Sequence, residues 1–319
     1  MREAQPPVVV ANVTRRFGDV VAANDVSLEV PAGTILGLIG PSGSGKTTMI
    51  RMLTGTLAPS AGAIAVLGEH PTRFRRETRE RIGYMPQQFH LYPHLTCAEN
   101  VAFCASLFGL FWWQRRRRVR QVLELAELWS ARDRLAKDLS GGMQRRLSLA
   151  CALVHEPEVL FIDEPTAGLD PLLRQKVWAE FRQLRDAGRT LFVTTQSVTD
   201  AEYCDYVALL VRGSLVAIDE PEALRRAVFG GEVVDVRTRG DAHPRVLNRV
   251  PGVREVRLRG KDHVIVIADE AATTVPRIVD AMQEAGDRVL SAEKYEPSFD
   301  DVFVALVEQS GVENEVMAS

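Results

Sequence analysis

The sequence predicts an α/β protein. Its core is a mainly parallel sheet with crossover helices, preceded by an antiparallel β layer, interrupted by a helical insertion and followed by a smaller α+β domain. Three observations predict it. Two β-rich runs meet at Phe17-Gly18-Asp19, short apolar strands then alternate with helical runs, and a strand-rich order resumes beyond Gly230-Gly231. At about 150 residues per domain, 319 residues correspond to two domains. Each is long enough to bury its own core.

The first runs, Val8 to Thr14 and Val26 to Val30, read as antiparallel strands. Thr34 to Ile39 is a short apolar strand ending in Gly40, and Lys46 to Leu57 is a helical run closed by Ala58-Pro59. From Glu77 to Leu135 the pattern is mostly helical and rich in arginine, so a helical insertion is expected over about 77–150. Strand Val159 to Ile162, helix Pro171 to Ala187 and strand Thr190 to Thr195 follow, then a strand pair turned at Arg212-Gly213. A helix over Glu222 to Val228 runs into Gly230-Gly231, which places the domain boundary at 229/230. Beyond it the βαββαβ order predicts a ferredoxin-like domain to residue 310, with a closing helix at Phe299 to Glu308 and a loose tail over 311–319.

Composition excludes several classes. Lys+Arg 39 against Asp+Glu 42 leaves a net charge of −3, so no global basic field exists to attract nucleic acid or anionic membrane, and nucleic acid is not an expected partner. No apolar run approaches the roughly 18 residues of a membrane span. The N-terminal stretch lacks a basic-then-apolar signal pattern, which predicts a cytoplasmic chain. Cys97, Cys104, Cys151 and Cys204 show no zinc-ligand spacing and read as buried free thiols. Arg115 to Arg118 beside Phe111-Trp112-Trp113 reads first as a solvated charged face, with a membrane-surface or permease contact as the sharper alternative.

Gly40-Pro41-Ser42-Gly43-Ser44-Gly45-Lys46-Thr47, followed by Thr48, fits GxxxxGK[ST] between a strand and a helix. Glycines let successive backbone N–H groups converge on phosphate oxygens at a helix N-terminus. Lys46 can neutralise β and γ oxygens and the Thr47 hydroxyl can ligate Mg²⁺. Lys46 is the only lysine in the first 136 residues, which argues against a random solvated charge. Asp163 and Glu164 close the apolar strand, where open parallel sheets bind ligands; they supply a carboxylate for the metal and a second to handle water. Leu139-Ser140-Gly141-Gly142-Met143-Gln144 opens a further helix with Ser140 as N-cap and two glycines leaving the N-terminus bare, a second anion site.

Together LSGGMQ, the upstream P-loop and the downstream FIDEPTAGLD resemble the signature set of the ATP-binding-cassette (ABC) family over residues 8–229. The resemblance implies a P-loop NTPase cassette binding ATP and Mg²⁺, working as a head-to-tail dimer with a second cassette, an identical chain, in which one P-loop and the other signature clamp ATP. It implies that Phe17 stacks on adenine, that Gln87 in Tyr84-Met85-Pro86-Gln87 senses Mg²⁺ and water, and that Asp170 couples the two sites. Read without it, Phe17 is strand core, Gln87 a polar loop residue and Asp170 a helix N-cap before Pro171. After strand Thr190 to Thr195 the family has a histidine on the γ-phosphate; this chain has Gln196, which donates a hydrogen bond but carries no charge.

Tyr295 to Phe303 resembles the ending of cassette subunits from type-2 exporters, although Ser42 and Ser44 stand where that branch often has asparagine and alanine. The function expected is the ATPase subunit of an exporter, peripheral on the inner face of the membrane through a separate transmembrane permease. Catalysis falls to Glu164, Gln87, Gln196 and Lys46. The alternatives are a soluble cassette acting on ribosome or nucleic acid, and a nucleotide-gated subunit with little turnover. Against the first stand the single P-loop, the single signature and the modest spacing between them.

Overall fold

The computed structural model describes residues 5–88 and 90–309. The expected tail lies outside these. The chain divides into two units, 1–218 and 219–319.

In the first unit, β1 (Val8–Phe17) and β2 (Val20–Val30) form the antiparallel layer, β3 (Ile35–Ile39) leads into α1 (Lys46–Leu53), and β4 (Ala61–Val66) returns to pair with β1, Val8 opposite Val66. After α2 (Arg76–Arg79) and β5 (Ile82–Met85) come α3 (Cys97–Leu107), α4 (Trp112–Leu125) and α5 (Gly141–Leu153). Then follow β6 (Val159–Asp163), α6 (Pro171–Asp186), β7 (Thr190–Thr195), β8 (Tyr206–Val211) and β9 (Ser214–Asp219).

Two sheets result, a three-stranded β2-β1-β4 and a six-stranded β5-β6-β7-β3-β8-β9 whose first five strands run parallel. Every residue of β3, β6 and β7 is buried, the mark of parallel strands covered on both faces. Helix α1 lies between the sheets. Its Met49, Ile50, Met52 and Leu53 share one core with Val26, Leu28 and Val30 of the antiparallel layer and with Leu36, Leu38, Phe161 and Phe192 of the parallel sheet.

Three expectations are corrected here. The helical insertion does not begin at 77, because Ile82–Met85 is an edge strand of the parallel sheet, too short to show a period of its own. Helix α1 stops at Leu53 rather than Leu57, since Thr54 caps it and Gly55 takes φ +76°. The thiols are all free, but only Cys97 and Cys204 are buried; Cys104 and Cys151 are partly exposed.

The second unit holds α7 (Pro221–Phe229), β10 (Glu232–Thr238), β11 (Val253–Leu258), β12 (His263–Ala268), α8 (Ala271–Glu284), β13 (Val289–Tyr295) and α9 (Phe299–Gln309). Its sheet has the order β11-β12-β10-β13, all antiparallel, and a 3₁₀ segment, Pro244–Arg249, takes the place of the first helix of the βαββαβ order. Val234, Val236, Val264 and Val266 pack on Leu247, Ile278 and Met282. The boundary expected at 229/230 therefore moves to 218/219. Gly230 is the left-handed C-cap of α7, not a linker, and α7 packs within this unit, where Arg225 Nε donates to the Pro297 carbonyl at 3.2 Å.

One loop of this unit is closed by a titratable pair. The His243 backbone N–H and Nδ1 both bond Asp287, at 2.9 and 2.6 Å, and hydrogen bonding to that carboxylate raises the imidazole pKa above its ordinary value. A raised folded-state pKa stabilises fully below the unfolded value of about 6.5 and is lost as pH rises through the folded value. The second unit is thus expected to unfold at lower urea at pH 8.5 than at pH 6, and His243→Gln is expected to reduce that difference. An unchanged difference in the variant would assign the pH dependence to other groups.

Candidate functional site

The strand order places the site. Because β6, β7 and β3 are neighbours, the chain leaves their C-terminal ends at one edge: Gly40 after β3, Asp163 and Glu164 at and after β6, Gln196 after β7. The edge strand β5, beside β6, delivers Gln87 to the same edge.

The P-loop turns tightly onto α1. Gly43 and Gly45 take φ of +77° and +106°, and a Cβ on Gly45 would stand 2.1 Å from the Ala22 carbonyl, so only glycine fits there. Helix α1 has neither a side-chain cap nor an acid in its first turn, leaving its positive end bare. The buried Lys46 ammonium folds back onto the loop, donating to the carbonyls of Gly40 at 2.8 Å and Pro41 at 2.9 Å, and lies 3.5 Å from Glu164 Oε1. Burial lowers its pKa, against the opposing pull of Glu164. Ser44 Oγ is buried with no hydrogen-bond partner in the structure, an orphaned donor within the phosphate loop. A phosphate oxygen would satisfy it.

Asp163 Oδ1 accepts from Thr194 Oγ1 at 2.6 Å and from Thr47 Oγ1 at 3.5 Å, and burial raises its pKa. Glu164 adopts φ +47°, a conformation rare outside glycine, pinned because its N–H donates to both the carbonyl and the hydroxyl of Thr194 at 3.1 Å. Its carboxylate accepts from Gln87 Nε2 at 2.9 Å and from Gln196 Nε2 at 2.8 and 2.9 Å. Lys46, Glu164, Gln87 and Gln196 thus form one cluster around a single carboxylate. Gln196 holds Glu164 through both carboxylate oxygens.

The remaining expected residues lie apart from that cluster. Phe17 ends β1, is 46% exposed and carries the Arg15 guanidinium 4.5 Å over its ring, so it is not strand core. Ser140 caps α5, its hydroxyl accepting from the Met143 N–H at 3.4 Å. A Cβ on Gly141 or Gly142 would meet nothing within 4 Å, so the chain's own packing does not demand glycine at either position. Asp170 caps α6, accepting from the N–H groups of Leu172 and Leu173 at 3.0 Å.

Sequence reasoning missed the residues behind these. Thr194 orients both acids, and Asp200, fully buried, accepts from Thr166, Thr195 and Trp178. Thr194 and Thr195 read only as β-branched strand residues, and nothing local marks Asp200 as buried.

Comparison with known proteins places the chain in a family. Residues 23–167 match the family described as ABC transporter. The "Nod factor export ATP-binding protein I" of Burkholderia lata is 40% identical over 231 residues, covering 72% of this chain and 76% of that protein. The "Probable multidrug ABC transporter ATP-binding protein YbhF" of Escherichia coli (strain K12) is 38% identical over 223 residues, 70% of this chain, but the match spans only 39% of that protein's length. Among solved structures, an ATP-binding cassette captured as a dimer in a post-hydrolysis state with ADP and Pi is 29% identical, with a TM-score of 0.61, over 67% of this chain and 98% of that one. The chain belongs to the ABC transporter family, as an ATP-binding cassette.

Proposed function

We propose that the chain is the ATP-hydrolysing motor subunit of an ABC exporter, driving a separate transmembrane permease on the inner face of the cell membrane by ATP-dependent head-to-tail pairing with a second, identical cassette. The observation that carries the hydrolytic reading is the cluster of Lys46, Gln87 and Gln196 on the Glu164 carboxylate beside a phosphate loop with an orphaned Ser44 hydroxyl. The open space at Gly141 and Gly142 supports the pairing, because a bare, unguarded helix end that its own chain does not fill suits a phosphate brought by another subunit. The export-type names of the relatives support the direction of transport. No helix among the described residues is long and apolar enough to cross a membrane, and the pore is assigned to the separate permease.

The residues divide the work. Lys46 leaves the Gly40 and Pro41 carbonyls for the β and γ oxygens, the P-loop N–H groups and Ser44 hydroxyl hold the phosphates, and Phe17 offers an exposed ring to the base. Glu164 orients the attacking water and takes its proton. Thr47, Asp163 and Gln87 present the oxygen donors that suit Mg²⁺, which when bound neutralises charge on the phosphates. Purification from membranes tests the assignment. Recovery with an integral membrane protein is the expected result, and recovery with ribosomes would replace it by the soluble alternative.

Gln196 sets the rate. Its neutral amide stands where the family's histidine would meet the γ-phosphate with an imidazole that becomes charged in the transition state. The difference between charged and neutral bonds, on the order of 1.4 kcal/mol, corresponds to about tenfold in rate. Gln196→His is therefore expected to raise single-turnover ATP cleavage about tenfold with little change in ATP affinity, and Gln196→Ala to lower it. An unchanged or slower histidine variant would mean that the site is built around glutamine.

A further inference from the structure

The start of α4 carries three large rings that its unit leaves in water, Phe111 at the N-cap and Trp112 and Trp113 in the first turn. Phe111, Trp112 and Trp113 are 61, 67 and 56% exposed. They are ordered against one another, Phe111 stacked on Trp113 with centroids 5.0 Å apart and Trp112 meeting Trp113 edge-on at 5.8 Å. Scattered exposed apolar residues need no explanation, but a contiguous aromatic cluster marks a contact surface.

The adjoining residues are cationic. Arg115 and Arg118 are engaged, the first with the Leu110 carbonyl at 3.3 Å and the second with Glu156 at 2.9 Å. Arg116 and Arg117 are exposed and have no carboxylate or carbonyl partner among the described residues. The first turn of α4 contains no acid, so its positive end adds to their field. Beside the rings, Gln114, Arg117, Arg118, Gln121, His155 and Glu156 line a cleft of about 280 Å³.

Rings and unpaired guanidiniums side by side fit one environment in particular. Tryptophan settles at the membrane–water interface, where an apolar body and a polar edge are both satisfied, and basic side chains there meet anionic headgroups. A purely acidic protein surface would match the arginines but leave three exposed rings without an apolar counterpart. We infer that the Phe111–Arg118 segment docks directly on an anionic lipid surface, with the rings entering the headgroup region and Arg116 and Arg117 meeting lipid phosphates. One short segment is a small anchor, so the binding is reversible and orients the cassette rather than fixing it.

The test uses the full chain and vesicles, without nucleotide or permease, and is independent of the exporter reading. Wild type is expected to float with vesicles of phosphatidylcholine containing one third phosphatidylglycerol, with a blue shift of tryptophan fluorescence, and to float poorly with phosphatidylcholine alone. Arg116→Ala with Arg117→Ala is expected to lower the partition about 25-fold, about fivefold for each cation. Trp112→Ala with Trp113→Ala is expected to lower it while leaving its salt dependence unchanged. ATP binding, which uses none of these residues, serves as the control for folding. Equal flotation on charged and uncharged vesicles, or none on either, would overturn the inference on wild type alone. So would an arginine variant that partitions like wild type, or one that keeps vesicle binding but loses a membrane-protein partner.

Discussion

Glu164→Gln is expected to slow ATP hydrolysis by about 10²- to 10⁴-fold while leaving nucleotide binding in place, the effect of losing a general base. The side chain keeps its shape, and the phosphate loop, Lys46 and Thr47 are untouched. What is lost is the charge that the surrounding groups are arranged to serve. Gln87 and Gln196 each point an amide N–H at the carboxylate, and the Lys46 ammonium lies 3.5 Å from it. An amide can accept on one side only, so one of the two glutamines faces a donor in the variant. Cleavage stalls while binding persists, and the ATP-bound pair of cassettes accumulates. Single-turnover cleavage together with gel filtration with and without ATP measures both halves. If the variant pairs no better with ATP than wild type does, the clamp model fails for this chain. Lys46→Ala separates the two steps from the other side, because it removes the cation proposed to neutralise the triphosphate, and its expected loss is in affinity.

The chemistry of this site is legible in the sequence because the phosphate loop and the two acids are contiguous runs whose backbone geometry follows from their own residues. Gly45 must be glycine to take φ +106° beside Ala22, and Asp163 and Glu164 must end an apolar strand to reach the ligand edge. The positions that depend on distant partners are not legible. Ala61–Val66 is strand only because it lies against β1, its alanines and glycine having little β preference of their own. Ile82–Met85 is four residues long, too few for a period, yet it is the strand that brings Gln87 to Glu164 across 77 residues of chain. Gly230-Gly231 reads as a linker because glycine punctuates both linkers and helix ends, and only the structure shows the second use. Gln196 is visible as a departure from the family, but its contact with Glu164 depends on two neighbouring strands ending at the same level.

Asp200→Ala is expected to destabilise the first unit by about 3 to 5 kcal/mol, the cost of stripping a buried charge from its partners. The carboxylate is fully buried in the 3₁₀ segment after β7. Oδ2 accepts from Thr166 Oγ1 at 2.7 Å and Thr195 Oγ1 at 2.6 Å, Oδ1 accepts from the Trp178 indole at 2.8 Å, and Arg174 Nε lies 3.8 Å away. Alanine orphans three buried donors and leaves the guanidinium without its counter-ion. At roughly 2 to 4 °C per kcal/mol for a unit of this size, the unfolding midpoint falls by about 6 to 20 °C. Asp200→Asn is the milder probe. Its oxygen can keep both threonines, but its amide then opposes the Trp178 N–H, for a cost of about 1 to 3 kcal/mol. Position matters as much as stability here, because Thr166 follows Glu164 by two residues and Thr195 immediately precedes Gln196. The carboxylate therefore fixes the spacing between Glu164, the proposed general base, and the glutamine that holds it. The asparagine variant is expected to remain folded with Trp178 still buried, to bind ATP as wild type does, and to cleave it more slowly. A variant that melts lower but cleaves at the wild-type rate would restrict Asp200 to holding α6 against the sheet.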